Sequence, residues 1–305
     1  MGSLKVHCAL IFTLLFWASA FVGIRVGLTA YSPGALALLR FLVASFAMAI
    51  IYFYLPDKKK IAWPDRLQLL LLGVAGIGIY NICLNYGELS VSAGVASFII
   101  GLIPVVTIVL SVLFLHERPS PVVWVGILIS FIGLLFLIIG EEDSSASMLS
   151  GALIILIATF MGAFYTVAQK RYLRNYHPVA VTAWIIWGGT FMLLIFSPQL
   201  WQEIKIASQQ ATFAAVYMGV FPAAFAYVGW SYVLHHWSAY KASMYLYALP
   251  LLSTFLGFIL LHEESSFLSL SGGVISLVGA LLATRLRVSQ PVLTQVEKLP
   301  KKLLK

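Results

Sequence analysis

The chain has 305 residues, 61% of them hydrophobic and only 10% charged, whereas soluble domains average roughly 45–50% apolar and about 25% charged residues. A water-soluble core of this size could not hide so much apolar surface, which excludes a soluble enzyme and requires lipid around the chain. The net charge of +8 is carried by short connections and the C-terminal stretch, a pattern of membrane orientation and not of nucleic-acid binding.

Apolar stretches of about 20 residues read as spanning helices. In chain order they fall at roughly 6–28, 33–55, 67–87, 91–115, 121–140, 148–171, 179–198, 211–234, 239–261 and 267–287. The predicted fold is therefore an all-α membrane protein with ten transmembrane helices. The first stretch, Lys5 followed by an apolar run and Ala18-Ser19-Ala20, has the layout of a signal peptide; the internal repeat described below needs it as an uncleaved helix. Connections are short, and most carry breakers such as Ser32-Pro33, His177-Pro178 and Ser197-Pro198. Cys8 and Cys83 both fall inside apolar runs, so no disulfide framework is expected.

Lys and Arg set the orientation. With the N-terminus in the cytoplasm, ten helices return the C-terminus there. All 19 basic residues then lie on the cytoplasmic side except Lys205, which faces outside, and Arg25 and Arg40, which lie in helices.

Sliding the chain along itself by about 146 residues superimposes Pro104 on Pro250, and Leu115-His116-Glu117 on Leu261-His262-Glu263. The same shift places Gly126, Ser130 and Gly133 on Gly272, Ser276 and Gly279, and Gly73 on Gly219. Arg25 meets Lys170 within one residue of that shift. A co-linear series at one offset indicates duplication. The predicted units are 1–143, a first five-helix repeat; 144–288, a second repeat; and 289–305, a basic cytoplasmic tail. Five is odd, so the second copy starts on the opposite membrane face. Such inverted repeats pack in two near-equivalent ways about a central site, which is the basis of alternating access.

The residues also resemble the drug/metabolite transporter superfamily, specifically its EamA-type ten-helix members. Phe16-Trp17-Ala18-Ser19-Ala20-Phe21 is similar to the first-helix element of that family, and Pro33 to Arg40-Phe41 to its second helix. Ala96-Ser97 to Pro104 to Leu115-His116-Glu117, echoed by Ala242-Ser243 to Pro250 to Leu261-His262-Glu263, is similar to its Ala-Ser…Pro…Leu-Gly-Glu signature. His116 and His262 stand where the family usually has Gly, and Ile185 stands opposite Arg40. The resemblance implies a carrier that exports or exchanges amino acids, nucleobases, drugs or similar metabolites.

Polar and aromatic residues inside the helices are the candidate substrate contacts. Trp17 is mid-helix, away from the interface where aromatic belts sit. Tyr80, Asn81 and Asn85 lie in helix three, with the two amides four apart on one face. Tyr165 and Gln169 share a face of helix six, Tyr227 and Trp230 one of helix eight, and Tyr245 lies in helix nine. These residues either wall a cavity for a flat or amphipathic solute or bond neighbouring helices. Arg40 is costly in lipid unless paired or wet; it either fixes a substrate carboxylate or holds loop carbonyls or a helix end. Pro104 and Pro250, placed mid-helix, are hinges or static kinks. Glu88, at the outer end of helix three, is the acid nearest the cavity mouth and a candidate gate. Glu117 and Glu263 end helices four and nine and are read mainly as carboxylates capping the next helix. Arg25 and Lys170 are read as snorkelling to the interface. The repeated Gly/Ser set packs helices five and ten closely, away from the cavity.

The acidic residues all map to loops or helix ends, which favours a facilitator, or weak coupling through Glu88 or a histidine, over strict proton coupling. No His-Glu-x-x-His, Gly-x-Ser-x-Gly or Walker element occurs, so neither an enzyme nor an ATP-driven pump is expected, and no metal or cofactor. The predicted function is a secondary transporter that moves a small metabolite, an amino acid or related solute, in the export direction across the inner membrane. The monomer is the expected functional unit, and its partners are the metabolite and the bilayer. Drug efflux by proton antiport, or a non-transporting receptor or scaffold, are the alternatives.

Overall fold

The computed structural model describes residues 2–56, 59–115, 121–139, 146–237, 239–263 and 266–285, and these residues contain helices and connections but no strand. A chain in lipid must satisfy its backbone within each segment, and the long Leu-, Ile- and Ala-rich runs do so as helices. In chain order they are α1 (Gly2–Gly27), α2 (Pro33–Phe53), α3 (Trp63–Gly87), the two-piece α4 (Ala93–Ile100 and Ile103–Leu115) and α5 (Pro121–Ile139). Next come α6 (Ala146–Leu173), α7 (Pro178–Glu203) and α8 (Gln209–His236). The last are α9, in pieces Ala239–Ser243, Met244–Tyr247 and Ala248–Leu261, and α10 (Phe267–Arg285).

Seven of these stretches are long and apolar enough to cross a membrane, and Pro121–Phe136, Tyr245–Leu261 and Leu270–Gly279 are shorter apolar helices. Starts follow local chemistry. Ser32 precedes Pro33 at the head of α2, and the hydroxyls of Ser92 and Ser208 accept from the Val95 and Ala211 amides. Two ends differ from expectation. α3 begins earlier, at Trp63-Pro64, where proline fits the first turn, and α7 runs past Ser197-Pro198 to Glu203 through a 3₁₀ turn at Leu194–Phe196.

The surface is apolar and the interior partly polar. Phe46, Phe191, Phe213 and Phe255 point outward, while Arg40, Asn81, Asn85, Glu88 and Gln169 are buried. That inversion suits a protein whose solvent is lipid.

Small residues let the helices cross closely. A Cβ added to Gly73 on α3 would lie 2.0 Å from the Ile185 carbonyl oxygen of α7, and one on Gly219 of α8 would lie 2.6 Å from that of Arg40 in α2. Gly133 and Gly279 meet the backbone of the opposite helix where α5 and α10 cross, and the Ser130 hydroxyl donates there to the Ser276 carbonyl at 3.0 Å. The Ser45 and Thr190 hydroxyls join α2 to α7 at 2.7 Å.

Two features lie beyond the reach of hydropathy. α3 and α8 widen into π-helical turns at Val74–Ile79 and Gly219–Phe225, a distortion frequent at functional sites. α4 breaks at Gly101-Leu102, and α9 tightens at Met244–Tyr247. Pro104 and Pro250, expected mid-helix, instead stand in the first turn of the pieces that follow, where a missing N–H costs no helical bond.

Candidate solute cavity

The helix distortions surround one central cavity. Trp17, Phe21 and Ile24 of α1 form one wall, and Arg40 enters from α2. Tyr80 and Asn81 follow the π turn of α3, Ile100 and Ile103 flank the break in α4, and Tyr165 and Thr166 come from α6. Tyr227 and Trp230 of α8, with Leu246 and Leu249 of α9, close it. Among the described residues, neither α5 nor α10 contributes to the lining.

The aromatic wall is continuous. The Trp17 ring centroid lies 5.4 Å from that of Tyr227 and 5.3 Å from that of Trp230, and Tyr165 lies 5.9 Å from Tyr227. The π turn of α8 carries the Pro222 carbonyl, and the Trp17 indole N–H donates to it at 3.1 Å. The distortion thus supplies the acceptor that orients the tryptophan. Gly76 and Gly162 keep room for the rings: a Cβ at Gly76 would sit 2.6 Å from Tyr165 Cβ, and one at Gly162 would sit 3.2 Å from Tyr80.

Polar groups in the wall are incompletely satisfied. Asn81 donates to the Ile77 carbonyl at 2.8 Å, but its Oδ1 has no partner. Arg40 is 3% exposed, and neither its Nε nor its Nη1 has a hydrogen-bond acceptor. The Trp230 indole N–H is likewise without one. Buried polar groups left this way cost free energy unless a ligand or water completes them. The cavity volume is about 50 Å³, room for a few waters at about 10–15 Å³ each.

Of the expected substrate contacts, Trp17, Arg40, Tyr80, Asn81, Tyr165, Tyr227 and Trp230 come together here. Three do not. Asn85 donates to the Pro33 carbonyl at 2.9 Å, tying α3 to the start of α2. Gln169 accepts from the Ser231 hydroxyl at 3.1 Å, and Ser231 in turn accepts from Thr182, so this amide belongs to an α6–α8–α7 contact. Tyr245 is 39% exposed and packs on Trp237 at 5.4 Å. Pro104 lies outside the lining; Pro250 does too, and it touches the α4 break, where a Cβ on Gly101 would approach it to 3.1 Å.

Each end of the bundle has a cationic fastening. At one end, Arg25 closes α1 with Nε donating to Glu263 Oε1 at 3.1 Å and Nη1 donating to the Glu88 carbonyl at 2.7 Å. The other oxygen of Glu263 accepts from the Ala93 amide that opens α4. Glu263 therefore caps a helix of the first half, and among the described residues no amide of α10, the helix expected from the sequence, donates to it. Just before it, His262 takes a left-handed conformation with φ 55° to end α9. Glu88, Gln210 and Thr29 line the cleft beside this cluster, and both carboxyl oxygens of Glu88 are buried without a partner. At the other end, Lys170 closes α6 and donates to the Leu234 and Trp237 carbonyls where α8 ends. Arg25 and Lys170 are thus engaged with helix ends and do not merely snorkel. Their alignment in the repeat was the available signal, but which carbonyls they meet depends on the packing. Glu117 lies outside the described residues.

An apolar-surfaced helical bundle around an aromatic, partly polar cavity, fastened at both ends, is the architecture of a membrane transporter. The chain belongs to the EamA-like transporter family, whose model matches residues 4–139 and again 149–285. It is 39% identical over 278 residues to the uncharacterized transporter YdfC of Bacillus subtilis, covering 90% of this chain and 89% of that protein. It is 33% identical over 281 residues to a probable terminal-alkyne amino-acid exporter of Streptantibioticus cattleyicolor, covering 92% of this chain and 94% of that one. A solved crystal structure matches with a TM-score of 0.64 at 17% identity, covering 96% of this chain and 98% of that one, and shows the fold alone.

Proposed function

We propose that the protein is a secondary transporter that exports an amino acid or related solute by alternating access. It is a multi-pass protein of the inner membrane. The observation that carries this reading is the aromatic cavity, contracted to about 50 Å³ and closed by helices from both halves of the chain. The amino-acid cargo is supported by the name of the Streptantibioticus relative.

The mechanism rests on an inverted pair of five-helix repeats forming ten spans, with both termini cytoplasmic. Two observations support it. The family model matches twice in tandem, and contacts recur at the repeat spacing. Gly73 meets Ile185 as Gly219 meets Arg40, and Arg25 reaches the end of α3 as Lys170 reaches the end of α8. Alternating access then has a defined bond to break: Arg25–Glu263 joins the first half to the second and must part when that end opens. Among the described residues no acidic side chain lines the cavity, which disfavours cationic drugs as the cargo.

The test is counterflow in proteoliposomes loaded with unlabelled amino acids, with a labelled terminal-alkyne amino acid or phenylalanine outside. Saturable accumulation, lost in Trp17→Ala, is the expected result. Uptake that never saturates, or none for any amino acid, would sink the reading.

A further inference from the structure

We propose that the cargo carries a carboxylate and that Arg40 is the group that grips it, with the aromatic wall taking an apolar body. This rests on the transporter reading above and specifies which part of the solute the site recognises.

The argument begins with an unbalanced buried charge. Arg40 has planar N–H donors suited to two carboxylate oxygens, it is 3% exposed, and Nε and Nη1 reach no carbonyl and no side-chain acceptor. A structural arginine in a bundle normally spends these donors on helix ends, as Arg25 does with Glu88 and Glu263. Among the described residues the lining contains no other charged side chain. The Trp230 indole N–H, also in the lining, adds a third unfilled donor, and Asn81 Oδ1 is an unfilled acceptor. The complement of this set is an anion with two or three acceptor positions, plus at most one donor. A carboxylate with a neighbouring ammonium or amide N–H meets it. A neutral nucleobase can accept from the guanidinium but leaves its charge uncompensated, and an organic cation opposes it.

The competing partner is internal. Glu88 is buried with both oxygens free and acts on the Arg40 charge through space, but it makes no hydrogen bond to it and does not line the cavity. Were Glu88 the standing counter-ion, the site would be neutral and indifferent to the charge of the solute.

The test compares acids with their amides on the purified protein: phenylalanine, a terminal-alkyne amino acid and 3-phenylpropanoate, each beside its primary carboxamide, with dissociation constants from titration. Charge-assisted hydrogen bonds predict acids binding about tenfold to a hundredfold tighter than amides. In Arg40→Gln the ratio falls to near one while amide binding persists, and Arg40→Lys restores part of it. The wild-type comparison stands by itself if Arg40→Gln does not fold. Equal binding of acid and amide by the wild type would overturn the carboxylate grip and leave the transporter reading intact. Acid preference that persists in Arg40→Gln would overturn the role of Arg40. Absence of binding by every acid, in a preparation that also shows no amino-acid counterflow, would overturn this proposal and the amino-acid cargo together.

Discussion

Residues 4–139 and 149–285 match the same family model, yet they bring different chemistry to equivalent places. Where the two regions touch, they keep the same kind of residue: Gly73 and Gly219, Ser130 and Ser276, Ser45 and Thr190. Where they face the cavity they diverge. Arg40 stands opposite Ile185, and Asn81 opposite Tyr227; beyond the lining, Glu88 stands opposite Leu234. The first region supplies the charge and the amide, Arg40 and Asn81, while aromatic rings come from both regions. Helix crossings favour small or hydroxyl-bearing residues because backbones approach each other there, whereas the positions facing the cavity at Arg40 and Asn81 carry side chains with no counterpart of the same chemistry. Two regions that match one family model thus line the cavity with different chemistry.

The sharpest way to break the comparison is to make the halves alike. Ile185 is fully buried with its carbonyl against Gly73. Ile185→Arg therefore buries an unpaired charge and is expected to cost about 3–5 kcal/mol, read as loss of monodisperse protein or a large fall in melting temperature. A variant melting like the wild type would mean that the second half also has an unused polar cavity position. Gly73→Ala comes next. Its Cβ would sit 2.0 Å from a backbone oxygen, and overpacking of that severity costs about 3 kcal/mol. Unchanged thermal unfolding would show that α3 and α7 cross less closely than described.

Smaller effects separate the two ends. Glu263→Gln removes the ion pair to Arg25, whose side chains are 36% and 18% exposed. Such a pair contributes no more than about 1 kcal/mol, so opening at that end should rise about fivefold. A cysteine placed at Gln210, in the adjoining cleft, reports this as faster thiol labelling; labelling unchanged by Glu263→Gln would remove the pair as a fastening. The smallest effect concerns pH. His177 caps α7 by accepting from the Val179 amide, and burial followed by repulsion from His235 lowers its pKa below the ordinary value of 6.5. The unfolded chain then binds the proton more readily, so this group's contribution is complete above about pH 6.5 and is lost as the pH falls below it. His177→Asn keeps a cap and removes the titration; melting temperatures between pH 7.5 and 5.5 should fall less in the variant. An equal fall in both would exclude His177 as the cause.

The apolar segments, the order in which they become helices and the repeat offset are legible in the chain alone, because they depend on periodic, local properties: hydropathy, turn residues and recurrence at a fixed spacing. Trp17, Arg40 and Tyr227 stand out because polar and aromatic groups are costly within long apolar runs. Which of them share a cavity follows from the packing of the helices. Asn85 and Gln169 share the sequence character of Asn81, yet bond neighbouring helices, since a rotation of a few tens of degrees about the helix axis turns an amide from cavity to contact. The reach of Arg25 to Glu263 also belongs to packing. It joins segments far apart in the chain, and no window along the sequence contains both partners.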